Sequence, residues 1–262
     1  MTDISFKNKS GKSPGKLSAV IGRDSFFYGV FTNEANLIET KHYENIDFNS
    51  EETAKKVKED LYGASHLDIK ISSSMKPYLH VNKDDDMVLT PFYPAFQNKD
   101  VHSDVILDQN IVVNYGLTKA QYSFLGNVFS KEYKQYHLST ALSDLLYPYS
   151  GGKLLAILDE NTIQFVYGLN GSFQYYNQFI CKSKNDFLYF TLLVYKALDL
   201  DPEKDPIIIG GRVDDDFPVY DFLYSYIRNI ELFKSPSLLV EDLRYRGKQH
   251  YYIDLYSTAI CG

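Results

Sequence analysis

Short apolar runs separated by turns, each set followed by a segment of helical spacing, recur twice along the chain. In the second half KLLAIL (Lys153 to Leu158) is a compact apolar run, Asp159-Glu160-Asn161 supplies a turn, and TIQFVYGL continues with β-branched and aromatic residues in alternation. Asn170-Gly171 then gives a two-residue hairpin signal, because both residues accept the positive φ such a turn needs, and SFQYYNQFI runs back from it. These segments predict a three-stranded antiparallel meander. Asn185 to Leu200 is apolar nearly all round, with a cap at Asn185 or Asp186 and a stop at Asp201-Pro202, which predicts a largely buried helix. PIII predicts a strand that opens into Gly210-Gly211 and, past Arg212 and Val213, into three carboxylates. Phe217 to Ile230 predicts a helix with Pro218 in its first turn, where a missing N–H costs little, and ELF a last short strand. The predicted order is β-β-β-α-β-α-β.

The first half begins the same way. KLSAVIG (Lys16 to Gly22), SFFYGVFT (Ser25 to Thr32) and ANLIETKHY predict three strands joined at Arg23-Asp24 and Asn33-Glu34. Ser50 caps the helix EETAKKVKEDLYGA, whose acidic front suits the helix dipole, and LDIKIS predicts a fourth strand. Extra material follows. MVLTPFYPAF (Met87 to Phe96) reads as a strand broken by Pro91 and Pro94, DVILDQNIVVNYGL as one or two strands, TKAQYSFLGNVFSKE as a helix capped by Thr118, and STALSDLLYPY as a helix ended by Pro148. Ser150-Gly151-Gly152 joins the halves. The expected organisation is an N-terminal arm over 1–15, a first lobe over 16–150 with an inserted segment, and a second lobe over 151–262.

Composition narrows the classes of function. The chain has 262 residues, 44% apolar, and a formal charge of -7. That balance argues against sequence-independent nucleic-acid binding, which needs clustered cations to displace counterions from phosphates. The cationic stretch Lys7 to Lys16 is rich in Gly, Ser and Pro and reads as a disordered arm. No apolar run has the length of a signal peptide or a membrane span, so a soluble, cytoplasmic protein is expected. Cys181 and Cys261 lack metal or redox spacing and read as buried thiols. Zero Trp beside 23 Tyr and 17 Phe, spread through the apolar segments, makes the aromatics mainly core and half-buried sheet residues.

Few residues carry a recognisable chemistry. Asp84-Asp85-Asp86 and Asp214-Asp215-Asp216 lack the alternate spacing and glycine of a calcium loop and read as solvated charges. His42, His66, His80, His102, His137 and His250 never fall at i and i+4 and read as surface or strand histidines. GKS at Gly11 to Ser13 lacks the preceding strand and distant glycine of a phosphate loop, and no Gly-x-Ser-x-Gly occurs. The tail LRYRGKQHYYIDLYSTAICG fits either a strand around Tyr251 to Ile253 or a helix with Tyr252, Leu255, Tyr256, Ala259 and Ile260 on one face.

The duplicated, ribonuclease-H-like β-β-β-α-β-α-β order, with Gly210-Gly211 after a late strand, resembles the actin-like ATPase superfamily of actin, sugar kinases and chaperone ATPases, a mixed α/β (α+β) fold. The layout looks most like its pilus-assembly and secretion members. VLTPFYPAF, KAQYSFLGNVF and the YIDLYSTAICG tail also resemble an uncharacterised Bacteroidetes family. The resemblance implies a terminal helix beside the Gly-Gly segment, so that loss of Tyr252 to Gly262 would destabilise the second half. It also implies a nucleotide seat in which two Asp-led turns wrap the phosphates and the Gly-Gly loop meets adenosine, assigning Asp24, Asp159, Gly210 and Gly211 to cofactor binding if nucleotide binds. The first turn, GRDSFF, carries bulky Arg23, and the second, LDENTI, has Glu160 and Asn161 where small residues belong. At about 4 Å and an effective dielectric of about 20, Glu160 would repel a phosphate charge by roughly 4 kcal/mol unless Mg bridged them. The expectation is therefore a degenerate, non-catalytic adaptor or scaffold working through an unknown protein partner, with no cofactor, no nucleic acid and no membrane insertion. The alternative is a switch or weak ATPase that takes ATP and Mg between its lobes.

Overall fold

The computed structural model describes residues 13–83, 94–97, 99–106, 109–130, 132–159, 161–212, 219–235, 238, 240 and 248–262. The chain forms two units: 1–141 with 237–246 and 255–262, and 142–236 with 247–254.

In the first unit β1 (Lys16–Ile21), β2 (Phe26–Phe31) and β3 (Leu37–Tyr43) form the expected antiparallel meander. Helix α1 (Glu51–Asp60) then carries the chain across one face, and β4 (Asp68–Ser73) returns parallel to β1. Ser50 accepts a hydrogen bond from Thr53 N–H, and Glu51 and Glu52 occupy the first turn, so the local sequence alone specifies this start. A fifth strand, β8 (Lys134–His137), adds parallel to β4 and completes the order β3-β2-β1-β4-β8.

Between β4 and β8 lies an insertion. β5 (Tyr78–Asn82), β6 (Asp100–Ile106) and β7 (Ile111–Leu117) form a separate antiparallel sheet ordered β5-β7-β6, followed by α2 (Lys119–Val128). Asp84 to Asp86 and Met87 to Tyr93 lie outside the described residues, whereas Pro94–Phe96 form a single 3-10 turn. Alternate residues of the sheet face the helices: Leu17, Ala19, Ile21, Ile69 and Ile71 meet Val57 of α1 and Phe124 of α2. The opposite face is buried too, and there apolar Val20, Phe27 and Phe31 sit beside polar Ser18, Lys70 and Ser72. Ser18 Oγ donates to Leu255 O at 2.8 Å, Thr258 Oγ1 donates to Ser72 Oγ at 2.9 Å, and Lys70 Nζ donates to Cys261 O.

The second unit repeats the order. β9 (Gly152–Asp159), β10 (Thr162–Leu169) and β11 (Ser172–Ile180) form a meander through Asn170 and Gly171, both at positive φ. Helix α4 (Lys184–Ala197) crosses over, β12 (Ile207–Gly211) runs parallel to β9, and β13 (Ile230–Leu232) adds parallel to β12. The sheet order β11-β10-β9-β12-β13 matches the first unit position for position. Between β8 and β9 the chain passes through α3 (Leu138–Asp144), and it ends in α6 (Ile253–Ile260), after a 3-10 turn at Gln249–Tyr252.

Several expectations shift. The cap of α4 is Ser183, whose side chain accepts from Asp186 N–H, not Asn185 or Asp186. The helix expected over Phe217 to Ile230 is the shorter α5 (Val219–Tyr224). The chain leaves it because Arg228 N–H donates to Pro202 O and Asn229 O accepts from Ile207 N–H, which draws Ile230 into the sheet. Helix α3 stops at Asp144, beyond which bonds from Leu145 N to Leu142 O and from Leu146 N to Ser143 O tighten the chain into successive turns. β5 and β8 escaped the sequence reading, since YLHVN and KQYH are short and half polar.

Gln121 ties α2 to the β1–β2 turn. Its Oε1 accepts from Thr118 N–H at 3.0 Å, closing a capping box, and its Nε2 donates to Gly22 O at 2.9 Å from a buried position. We expect Gln121→Ala to destabilise the protein by about 1–3 kcal/mol in urea unfolding, through the unsatisfied Gly22 carbonyl and the lost cap. Gln121→Glu keeps the cap acceptor yet cannot donate to Gly22, so it should not restore stability.

Candidate functional site

The residues assigned to a nucleotide seat fall in both units, and each unit explains its own. In the first, Gly22 N–H donates to Ser25 O at 2.9 Å, and Asp24 O accepts from Ile46 N–H at 2.7 Å. With Gln121 on Gly22 O, the turn is braced from two sides, while Arg23 and Asp24 themselves are exposed. A side chain on Gly22 would meet only Ser25 Oγ, at 2.4 Å, a movable atom.

In the second unit, Asp159 ends β9 and its carboxylate is ion-paired with the Arg212 guanidinium; both side chains are largely covered, at 29% and 24% exposure. Arg212 N–H also donates to Leu158 O at 3.0 Å, so the carboxyl ends of the parallel strands β9 and β12 are clasped twice by one residue. Glu160 and 213–218, including Asp214 to Asp216, lie outside the described residues.

Gly210 and Gly211 belong to β12 itself, and both are buried. A Cβ on Gly210 would lie 2.8 Å from Ile253 Cγ2 and 3.0 Å from its Cδ1. Gly211 has φ +87, and a Cβ there would lie 1.9 Å from Leu158 O. The glycine pair is thus required by the chain's own packing: one lets the terminal segment approach, the other lets the backbone turn over β9. The tail is helical, as the resemblance implied. Its first residues pack beside Gly210, but from Leu255 onward it belongs to the first unit, so its removal should affect that unit as well.

A cluster that the sequence did not reveal lies in the first unit. His137 Nδ1 accepts from Ser139 N–H at 3.2 Å and lies 2.7 Å from Ser139 Oγ, which is in turn 2.9 Å from His80 Nε2. Asp104 accepts the His137 backbone N–H, and Tyr115 OH donates to it at 3.4 Å. Burial raises the Asp104 carboxyl to about 7, against the stabilising bonds from His137 N–H, Thr140 and Tyr115. These residues lie up to 59 positions apart, and none has a local motif. Cys181 and Cys261 are buried.

Two five-stranded mixed sheets of identical order, each built from a meander, a crossover helix and parallel additions, define the actin-like ATPase fold. A Bacteroides thetaiotaomicron protein with actin-like ATPase fold and unknown function is similar over 100% of both chains at a TM-score of 0.70 and 18% identity. A PilM-PilN type IV pilus biogenesis complex matches 93% of this chain and 97% of that one at 0.62 and 11% identity. The cytoplasmic domain of EpsL, an inner membrane component of the Vibrio cholerae type II secretion system, matches 94% and 96% at 0.52 and 12% identity. The chain belongs to the family described as protein of unknown function DUF3822, whose pattern matches residues 78–230. No curated protein matches it in sequence.

Each glycine's partner can be tested by stability. Gly211→Ala forces a side chain into a left-handed position against a backbone carbonyl and should cost about 2–4 kcal/mol. Gly210→Ala should cost about 1–2 kcal/mol, and less in an Ile253→Ala background, where the obstructing side chain is gone. Thermal or urea unfolding of the wild type, the three single variants and the double variant measures both effects.

Proposed function

We propose that this protein is a non-catalytic, cytoplasmic scaffold that works through protein partners and does not turn over nucleotide. The observation that carries this reading is the Arg212–Asp159 ion pair. A phosphate-wrapping turn needs backbone N–H groups open to the ligand and a carboxylate available to a metal. In the second unit the Asp159 carboxylate is engaged by a cation of the same chain, and the neighbouring glycines serve internal packing. The first unit's turn holds Gly22 N–H and Gly22 O in bonds of its own, and carries Arg23 where small residues would be needed.

Likeness in fold to PilM and to the cytoplasmic domain of EpsL, one described in a complex and the other as a component of a secretion system, is compatible with a scaffold role. Among the described residues no helix is long and apolar enough to cross a membrane. The competing reading, an ATP-dependent switch, requires Arg212 to release Asp159 and Mg to take its place.

The melting temperature with and without about 1 mM Mg-ATP separates the two. A ligand at about 100 times its dissociation constant adds roughly 2.7 kcal/mol to stability, a rise of several degrees. We expect no shift; a rise of that size would replace the scaffold reading with the switch.

A further inference from the structure

The buried polar chain of the first unit links β5 to the corner at which β8 turns into α3. Its proton positions follow from its partners. Ser139 N–H points at His137 Nδ1, so that nitrogen carries a lone pair and the neutral ring holds its proton on Nε2. Ser139 Oγ–H therefore donates to His137 Nδ1, and the hydroxyl oxygen accepts from His80 Nε2–H. Both imidazoles are neutral in this arrangement. A proton added to His137 Nδ1 takes the acceptor away from Ser139 N–H and forces the Ser139 hydroxyl from donor to acceptor, whereas a proton added to the outer nitrogen of His80 leaves its bond to Ser139 intact.

The surroundings give a charged imidazole little relief. His137 and Ser139 are 0% exposed. Tyr78 of β5 packs on the His137 ring at 4.9 Å and Tyr115 of β7 at 5.5 Å, with His80 at 6.4 Å. On β6, His102 stacks on Tyr115 at 5.7 Å, and Asp104 holds the backbone N–H of His137. Lys76, the cation preceding β5, lies over the Tyr78 ring.

We propose that His137 and Ser139 form a proton-operated latch: neutral His137 ties the start of α3 and, through Ser139, β5 to β8, and protonation of His137 opens this corner while the five-stranded sheet of the unit stays folded. Burial supports the direction, holding His137 down to about 3 and His80 to about 4. Because both lie below the ordinary value of about 6.5, the opened corner takes up protons first, and the stabilisation present above about pH 6.5 is lost as pH falls through that window. Asp104, raised to about 7, acts with the opposite sign and cancels one of the two protons. The net is one proton, so opening should grow about tenfold per pH unit between about 6.5 and 4.

Amide hydrogen exchange on the full chain at pH 7, 6, 5 and 4, corrected for intrinsic rates, tests this. Residues 78–82 and 138–144 should lose protection about tenfold per unit, while 26–31 and 69–73 do not. His137→Asn retains an acceptor for Ser139 N–H but cannot take a proton, and its profile should be flat. His80→Gln retains the donor, and its slope should flatten likewise, which keeps the test alive if His137→Asn does not fold. Acid-independent protection of both segments in the wild type, or a folded non-titrating variant that opens in acid as the wild type does, would overturn the latch.

Discussion

Parallel pairing of the first strand of each meander with the strand that follows its helix is the constraint from which most of this molecule follows. β1 lies beside β4, and β9 beside β12. Parallel neighbours cannot be joined by a tight turn, so α1 and α4 must carry the chain back across a sheet face, and those helices must bring an apolar stripe to cover it. The central strands are consequently covered on both faces. That is why Leu154 to Ile157 and Ile207 to Ile209 read as continuous apolar runs while the outer β3 alternates with Glu39 and Lys41.

The same pairing decides the glycines. At its carboxyl end β12 must pass close over Leu158 of β9 and under Ile253 of the terminal segment, and no side chain fits at Gly210 or Gly211. Arg212 then turns back to clasp Asp159. A sequence feature of the kind used elsewhere to approach a ligand is here satisfied within its own chain. The first unit solves a related problem with polar groups, since Ser18, Lys70 and Ser72 meet backbone and hydroxyl groups of the last helix where an aliphatic face would serve equally well to exclude water.

Much of the architecture was legible because its signals are local. Asn170-Gly171 fixes a hairpin, Ser50 and Thr118 fix helix starts, and the apolar runs of β1, β2, β9, β10 and β12 have the length and composition of covered strands. The elements that were missed or overextended owe their form to distant partners. KQYH is a strand only because β4 offers it a parallel edge, and the segment after Tyr224 leaves the helix because Pro202 and Ile207 bond to Arg228 and Asn229.

By itself the sequence determined the repeated order of strands and helices, the mixed α/β class and the bulky or charged residues in the two Asp-led turns, since each depends on spacing, turn chemistry and the size of neighbouring side chains. Only the tertiary structure decided what the glycines are for, which cation meets Asp159, and that His80, Ser139 and His137 share one chain of hydrogen bonds. Those outcomes depend on contacts between residues tens of positions apart, and no local pattern encodes which strand will lie beside which.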